Sequence, residues 1–160
     1  MKIIVLSDTH IPRVANDLPQ LVYEAINKAD LIIHAGDFVE FEVLQRLKKI
    51  KNTIGVIGNM DAKELRDILK TKETISVGKF KIGLIHGYGA PGSLTKTVRS
   101  EFGKVDAVVF GHSHVPTNMV EDGVLFFNPG SPTDKVYAPY NSYGVLDVTE
   151  NGIKGEIVRL

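Results

Sequence analysis

Seven side chains that could bind metal ions follow short apolar runs of the sequence. They are two carboxylates, one amide and four imidazoles: Asp8, His10, Asp37, Asn59, His86, His112 and His114. Oxygen and nitrogen ligands without sulfur suit divalent ions such as Mn²⁺, Zn²⁺, Fe²⁺, Ni²⁺ or Co²⁺, whereas imidazoles argue against Mg²⁺ or Ca²⁺ alone. Seven donors are more than one tetrahedral ion needs, and they fit two ions that share a bridging carboxylate.

The spacing within two of these motifs favours shared ligation. Asp8 and His10 are two residues apart, and so are His112 and His114. In extended backbone, residues two apart project to the same side, so each pair would present two ligands in one direction. Each histidine alone would be explained by an ordinary structural role, but their joint position after successive apolar runs favours metal binding.

The elements that must position these residues can be predicted from periodicity. Five apolar, β-branched-rich runs predict strands buried on both faces: 3–6, 31–33, 53–57, 82–85 and 107–110. Helical patterns alternate with them: 18–28, 40–50, 63–70 and 94–102. Because ligands of open α/β sheets bind beyond the carboxyl ends of the strands, we expect the seven side chains to meet at one edge.

Beyond His114 the pattern changes to strands joined by tight turns. Asp122-Gly123 separates the apolar segments 119–120 and 124–127, and Asn151-Gly152 separates 143–148 from 153–158. These dipeptides favour two-residue hairpin turns, in which both central residues need positive φ. We expect an N-terminal βαβ half and a C-terminal antiparallel half, built into one sandwich with helices outside and forming a single domain over residues 1–160.

Four further sites have mainly structural interpretations. Asp17 with Gln20, and Asp61 with Glu64, have the spacing of a capping box, which predicts two helix starts and makes capping the expected role of Asp61. His34 lies within the second predicted strand and is interpreted as a structural residue or one supporting the ligands. The segment 128–131 (Asn-Pro-Gly-Ser) predicts mainly a turn.

Composition excludes several classes of site and partner. Lys plus Arg and Asp plus Glu each number 19, and this neutrality argues against strong binding to nucleic acid or an anionic membrane. The chain has no cysteine, which excludes disulfides, thiolate metal sites and cysteine nucleophiles. No apolar run has the length of a secretory or membrane-spanning segment, so we expect a cytoplasmic protein. Neutral charge does not oppose association into a homodimer or homotetramer.

The motif series resembles a known family. Asp8-x-His10, Gly36-Asp37, Gly58-Asn59-x-Asp61, His86 and Gly111-His112-x-His114 occur in the order typical of the calcineurin-like metallophosphoesterases. The short chain and the segment 128–131 are similar to the small archaeal and bacterial phosphodiesterase branch. The resemblance implies an α/β fold, a four-layer α/β/β/α sandwich with two mixed sheets.

The resemblance also implies a dinuclear site and a reaction. Asp8, His10 and His114 would hold one divalent transition-metal ion, and Asn59, His86 and His112 would hold the other. Asp37 would bridge them, with manganese the first expectation and Ni, Zn, Fe or Co as alternatives. A bridging hydroxide would attack a small phosphate ester in line, preferably a phosphodiester, with catalytic roles for Asp37, Asn59 and His112.

Two departures from the family pattern keep an alternative open. Many relatives have histidine where this chain has Met60, and small relatives often have a second histidine where it has Tyr88. A thioether cannot donate a proton to a leaving group. The alternative is a scaffold or binding protein that retains the sandwich with little turnover, as the retromer's metallophosphoesterase-like subunit does.

The segment 87–92 formally matches a dinucleotide fingerprint, but no acidic residue ends the next strand, so nicotinamide binding is disfavoured. The other interpretation is that backbone N–H groups of this loop bind the oxygen atoms of a substrate phosphate.

Overall fold

Two five-stranded mixed sheets form the centre of the molecule, which the computed structural model describes over residues 1–160. The first sheet has the order β10-β9-β1-β2-β3 and contains β1 (Lys2–Leu6), β2 (Leu31–His34), β3 (Thr53–Gly55), β9 (Ser142–Thr149) and β10 (Gly152–Arg159). Strands β1, β2 and β3 are parallel, whereas β9 is antiparallel to both of its neighbours. The apolar sequences of β1 and β2 fit strands that are covered on both faces, whereas the edge strand β10 is only partly buried.

The second sheet has the order β4-β5-β6-β8-β7. Its strands are β4 (Lys72–Val77), β5 (Phe80–Ile85), β6 (Ala107–Val109), β7 (Thr117–Glu121) and β8 (Val124–Asn128). The central strands β5, β6 and β8 run parallel, and the edge strands β4 and β7 are antiparallel to their neighbours. Parallel central strands direct several strand ends to the same edge of this sheet.

Helices cover the outer faces and complete four layers. They are α1 (Gln20–Asn27), α2 (Phe41–Ile50), α3 (Lys63–Arg66) and α4 (Leu94–Ser100). One apolar cluster lies between the sheets, a second lies between the first sheet and α1, α2 and α3, and a third lies between the second sheet and α4. This confirms the α/β/β/α sandwich with two mixed sheets. None of these helices combines the length and apolarity needed to cross a lipid bilayer.

The predicted division into two halves is wrong. The β9–β10 hairpin does not join the strands that precede it in the chain but pairs with β1 in the first sheet. In addition, β8 is parallel to β6, so the C-terminal part is not wholly antiparallel. The β7–β8 hairpin turns at Asp122-Gly123, with both residues at positive φ, as predicted. The predicted Asn151-Gly152 turn is wrong by one residue, because Gly152 already pairs with Thr149 as the first residue of β10. Sheet membership depends on which edge is free to accept a strand.

Two further elements differ from the prediction by periodicity. The edge strand β4 has no apolar run, because only one face is buried, at Ile75 and Val77. Helix α3 ends at Arg66, earlier than predicted. The chain then turns so that Lys70 O accepts a hydrogen bond from Ile57 N–H at 2.9 Å. The segment after the helix is therefore held by an isolated parallel bridge beside β3 and does not continue the helix.

The capping-box prediction at α1 is wrong as well. The residue that precedes the helix is Pro19, and no side chain caps the helix start. Asp17 Oδ1 instead accepts hydrogen bonds from Leu18 N–H at 2.8 Å, Tyr23 OH at 2.5 Å and Arg46 Nη1 at 2.7 Å. This carboxylate therefore links the loop before α1 to helix α2.

Phe127 fills the space between the two sheets. Its ring is fully buried in the central cluster. A Cβ atom added at Gly144 would come within 2.3 Å of Phe127 Cε1, and one added at Gly155 within 2.7 Å of Phe127 Cδ2. Glycines on β9 and β10 thus let the first sheet approach the ring closely.

We expect Phe127→Ala to lower the free energy of unfolding by about 3–5 kcal/mol, since it removes a buried ring and leaves a cavity. Val120→Ala on the neighbouring strand β7 is the control, because that side chain is 68% exposed. The control should change stability by less than about 0.5 kcal/mol. Urea unfolding of metal-free protein measures both, and similar small losses for the two variants would contradict the assigned core position.

Candidate metal centre

All seven predicted ligands lie just beyond the carboxyl ends of five strands. Asp8 and His10 follow β1, Asp37 follows β2 and Asn59 follows β3, all in the first sheet. From the second sheet, His86 follows β5, and the pair His112 and His114 follows β6. The loops of the two sheets meet at one end of the sandwich, as the strand-end argument predicts.

Three of the side chains form a first ligand group: Asp8, His10 and His114. His114 Nε2 lies 3.3 Å from both Asp8 Oδ1 and His10 Nε2. The distance from His10 Nε2 to Asp8 Oδ1 is 4.0 Å. Two imidazole nitrogens and one carboxylate oxygen therefore converge on a common point, which is the arrangement a divalent ion needs.

A second ligand group consists of Asp8, Asp37 and His86. His86 Nε2 lies 3.4 Å from Asp37 Oδ2 and 3.9 Å from Asp8 Oδ1. Asn59 Oδ1 extends the group, at 3.0 Å from His86 Nε2 and 3.2 Å from His112 Nδ1. Five of the seven predicted ligands thus belong to the two groups, and the other two lie beside the second.

Two carboxylates face both groups. Asp37 Oδ2 lies 3.6 Å from His10 Nε2 and 3.4 Å from His86 Nε2, between imidazoles of the first and second group. Asp8 Oδ1 is shared by the groups as well. The geometry therefore offers two candidate bridging positions, where the resemblance implied Asp37 alone.

Asp8 provides the test of whether the site fits a cation. Its Oδ2 accepts hydrogen bonds from Ser7 Oγ at 2.6 Å and His112 N–H at 3.1 Å. Its Oδ1 is buried and has no hydrogen-bond partner. An unpaired buried carboxylate oxygen is costly unless a positive charge compensates it. Because the neighbouring donors are imidazole nitrogens and a second carboxylate, the residues fit a divalent transition-metal ion.

Burial and the nearby carboxylates act in opposite directions on the pKa values of the imidazoles, and the balance differs from ring to ring. Burial disfavours the charged form of His86, but the hydrogen bond with Asp37 and the charges of Asp8 and Asp37 outweigh it and raise the pKa to about 9. Burial likewise opposes a charged His114, but Asp8 and then Asp134 raise its pKa to about 9. At His10, burial prevails over both carboxylates and lowers the pKa. This negative pocket favours cations near the imidazoles.

The same interactions act on Asp37. Burial alone would raise the pKa of its carboxyl group, but the hydrogen bond and charge of His86 and the backbone hydrogen bond from Met60 lower it. The Met60 N–H donates to Asp37 Oδ1 at 2.7 Å, on the side away from the imidazoles. Asp37 is therefore kept ionised with Oδ2 directed into the site.

The predicted extended backbone at the paired motifs is wrong. Five candidate ligands have left-handed conformations, with φ of 52°, 44°, 60°, 68° and 58° at Asp8, His10, Asp37, His112 and His114. Aspartate and histidine tolerate this region better than most residues, but it remains strained and is typical of functional sites. The paired side chains converge because the loops turn sharply after each strand, and not because strand pleating aligns them.

The spacing of Asp61 and Glu64 predicted that Asp61 caps α3, and this prediction is wrong. The residue before that helix is Ala62, and no side chain caps the helix start. The buried Asp61 carboxylate instead accepts N–H hydrogen bonds from Asp37 at 3.1 Å, Val39 at 2.7 Å and Gly58 at 2.7 Å. Burial raises its pKa, although these backbone donors oppose the shift. Asp61 thereby joins the loop after β2 to the loop after β3.

His34 has the structural role that its sequence position predicted. Its ring is fully buried and stacks on Phe38 with ring centroids 3.5 Å apart. Its Nδ1 accepts a hydrogen bond from Gly36 N–H at 3.2 Å, and Nε2 lies 3.2 Å from Thr9 Oγ1. Burial lowers its pKa well below the usual range, so the ring is neutral. His34 supports the loop that carries Asp37.

The segment 128–131 does more than form a turn. Asn128 Nδ2 donates to Gly111 O at 2.9 Å, and its Oδ1 accepts from Gly130 N–H at 2.9 Å. Ser131 Oγ donates to Asp8 O at 2.7 Å. These bonds hold the loops after β1 and β6 together from behind the ligands.

Asp134 is a residue of the site that the sequence motifs did not identify. Its carboxylate accepts a hydrogen bond from His114 Nδ1. It lies in irregular structure between β8 and β9, where no periodicity or spacing signals a role.

The two departures from the family pattern lie at different places. Met60 lines a cleft of about 530 Å³ that opens on the ligands, together with Arg13, Pro91, Val136 and Tyr137. The volume is in the range of small-molecule sites. Tyr88 is 55% exposed and is not part of this cleft wall. Its hydroxyl donates to Glu101 Oε1 at 2.8 Å.

Comparison with known sequences gives a consistent set of relatives. A sequence model of the calcineurin-like phosphoesterase superfamily domain matches residues 1–151. A "Probable metallophosphoesterase" of Methanocaldococcus jannaschii is 38% identical over 138 residues, which are 83% of this chain and 69% of the relative. One of the same description from Methanothermobacter thermautotrophicus is 34% identical over 163 residues, covering 99% of this chain and 92% of the relative.

Solved structures with the same fold include proteins of two kinds. An archaeal phosphodiesterase superimposes with a TM-score of 0.75 at 26% identity, covering 99% of this chain and 100% of that one. Wild-type Vps29 of Entamoeba histolytica in complex with zinc also gives a TM-score of 0.75 at 26% identity, covering 99% of both chains.

We expect Asp61→Asn to destabilise the protein by about 1–3 kcal/mol, because an amide group would then face backbone N–H donors that now bind a carboxylate. The variant should also weaken Mn²⁺ binding, since Asp37 loses its support. Thermal unfolding and calorimetric titration with Mn²⁺ measure the two effects.

Glu64→Ala is the matched control for this prediction. A capping box would require Glu64, whereas the observed contacts of Asp61 do not involve it. Stability and Mn²⁺ affinity should therefore remain close to those of the unmodified protein. A stability loss as large as that of Asp61→Asn would restore the capping interpretation.

Proposed function

This chain belongs to the calcineurin-like phosphoesterase superfamily, and on that premise we propose that it is a phosphodiesterase with a site for two divalent ions. The family and the two ligand groups support metal-dependent phosphoester hydrolysis. The observation that carries the proposal is the buried Oδ1 of Asp8, which has no hydrogen-bond partner and belongs to both ligand groups. Manganese is the first ion that we propose.

The ligands divide between two ion positions. We assign Asp8, His10 and His114 to one ion and Asn59, His86 and His112 to the other, with Asp37 between them. Two divalent ions would bring four positive charges, against two negative charges from Asp8 and Asp37. The positive surplus favours an anionic substrate, although the whole chain is neutral.

Ions bound at this site would supply Lewis acidity that activates water and neutralises charge on the phosphoryl oxygens. The protein residues orient the reaction around them. Asp37 is kept ionised by His86 and by Met60 N–H. Asn59 is the exposed ligand, and both Asn59 and His112 line the cleft, so we assign to them the positioning of the phosphate. These assignments make Asp37, Asn59 and His112 the proposed catalytic residues.

Two observations support a diester as the substrate. The cleft of about 530 Å³ is lined by Met60, Pro91, Val136 and Tyr137 as well as by ligands, so it offers space for ester groups beside a phosphate held at the ligands. The archaeal protein with the same fold, which aligns over nearly the full length of this chain, is a phosphodiesterase. Beyond the ligands, the lining is uncharged apart from Arg13 and Asp134, so the ester groups of a substrate would meet few charges.

A scaffold function is the second candidate. The observation that favours it is the equal similarity to a zinc-bound Vps29 structure, together with Met60 at the cleft rim in place of a proton donor. In that case ions would bind at the same ligands with little turnover. Hydrolysis, and not ion binding, therefore distinguishes the two candidates.

We expect the purified protein with Mn²⁺ to hydrolyse bis-p-nitrophenyl phosphate and Asp37→Ala to reduce kcat/KM more than about 100-fold. Supporting residues of metal ligands cost about 10–100-fold, and loss of a shared ligand should cost more. Release of p-nitrophenolate provides the assay. Asp67→Ala, which removes an exposed carboxylate that does not line the cleft, should match the unmodified protein. Equal rates for Asp37→Ala and the unmodified protein would support the scaffold instead.

A second prediction concerns the leaving group. Because methionine cannot protonate the departing oxygen, we expect rates to fall steeply as the pKa of the leaving alcohol rises. Met60→His should raise turnover of poor leaving groups by about 10²–10⁴-fold, which is the usual contribution of a general acid. A series of aryl and alkyl phosphodiesters measures the dependence.

The control for this series is Met119→His, at a methionine on β7 that does not line the cleft. It should leave the slope of rate against leaving-group pKa unchanged. A flat slope in the unmodified protein would show that another group supplies the proton.

A further inference from the structure

A buried carboxylate stands directly behind one ligand of the first group. Asp134 is 3% exposed and accepts a hydrogen bond from His114 Nδ1. The other ring nitrogen of His114, Nε2, lies 3.3 Å from Asp8 Oδ1 and from His10 Nε2. A carboxylate on one nitrogen fixes the proton there and leaves the opposite nitrogen free to bind an ion.

Backbone donors hold this carboxylate in place. Asp134 Oδ1 accepts from Val136 N–H at 2.8 Å, and Oδ2 accepts from Tyr137 N–H at 3.1 Å and Ala138 N–H at 2.9 Å. The N–H of Asp134 itself donates to Ser131 Oγ at 2.9 Å. The carboxylate therefore cannot turn away from His114 without breaking several hydrogen bonds.

The segment that carries Asp134 is also attached to the loop after β1. Ser131 Oγ donates to Asp8 O at 2.7 Å, and Thr133 Oγ1 donates to Thr9 O at 2.7 Å. Both hydroxyl groups are buried. Asp134 is thus held at a set position relative to Asp8, although the two residues lie far apart in the chain.

The same carboxylate organises one wall of the cleft. The residues whose N–H groups it accepts include Val136 and Tyr137, and both line the cleft. The Tyr137 ring packs edge-on against His114, with centroids 5.9 Å apart and an interplanar angle of 80°. One carboxylate therefore contacts both a candidate ion ligand and the wall against which a substrate would lie.

We propose that Asp134 is the positioning residue of the first ligand group: it holds His114 with the proton on Nδ1 and Nε2 toward the ion, and it fixes the adjoining cleft wall. This inference rests on the ion binding in the proposed function and is independent of hydrolysis. Asp134 belongs to none of the sequence motifs, and its proposed positioning role follows from its contact with His114.

Calorimetric titration with Zn²⁺ tests the proposal without an activity assay. We expect Asp134→Asn to weaken the binding step that involves His114 by about 10–100-fold, which is typical for the carboxylate partner of a ligating histidine. Asp67→Asn, the same change at an exposed site, should leave the affinity unchanged. Unchanged affinity in Asp134→Asn would overturn the proposal.

A double-mutant cycle separates positioning from general stabilisation. If Asp134 acts through His114, Asp134→Asn should add less than about a twofold loss once His114→Ala is present, since the shared interaction is already gone. Fully additive losses would show that Asp134 acts through the fold alone. If the unmodified protein binds no Zn²⁺, the proposed function fails together with the inference about Asp134. If it binds Zn²⁺ and Asp134→Asn binds it equally well, only the inference about Asp134 fails.

A measurement on the unmodified protein keeps the test decisive if Asp134→Asn does not fold. Long-range ¹H–¹⁵N correlation spectra of the zinc-loaded protein report which ring nitrogen of each histidine carries the proton. We expect the His114 proton on Nδ1. A proton on Nε2 with zinc at Nδ1 would overturn the proposal, because Asp134 occupies the Nδ1 side.

Discussion

The site depends on two buried carboxylates that the protein alone does not fully satisfy. Asp8 is completely buried, and only one of its oxygens has hydrogen-bond donors. Asp37 directs one oxygen toward imidazoles and has its other oxygen bound by a backbone N–H. Concentrating negative charge in this way costs free energy unless positive charge is nearby. Against the effect of burial, nearby carboxylates raise the pKa values of His86 and His114, so positive charge is favoured at these two rings.

Close backbone approach is the second constraint. A Cβ atom at Gly58 would lie 2.1 Å from Asp37 Oδ1, and one at Gly111 would lie 1.8 Å from Ser7 Oγ and 2.7 Å from Asp8 Oδ2. The glycines of these motifs are therefore required by the space around the carboxylates. With them, loops from two different sheets can meet tightly enough to place imidazole nitrogens 3–4 Å from carboxylate oxygens.

Supporting residues then make the arrangement specific. Asp61 bonds three backbone N–H groups in the loops after β2 and β3, and Asp134 bonds one ligand and one wall of the cleft. Both are carboxylates that do not belong to the ligand groups. The relatives with this fold include a phosphodiesterase and a zinc-bound Vps29. Since the ligands themselves suit either function, the cleft wall and the absence of a proton donor at Met60 are the features that bear on turnover.

Most of the strands and helices, the Asp122-Gly123 hairpin turn and the candidate ligands can be predicted from the amino-acid sequence, because hydrophobic periodicity, turn dipeptides and donor chemistry are local properties. It did not determine the sheet that β9 and β10 join, since that depends on a free edge of β1. Capping-box spacing at Asp61 was misleading because buried backbone donors 22 to 24 residues earlier compete for that carboxylate. The left-handed turns at the ligands and the contact of Asp134 with His114, 20 residues away, are visible only in the folded protein. Contacts between distant segments leave no periodic signal in the chain, because they form only once the sheets bring separate loops together.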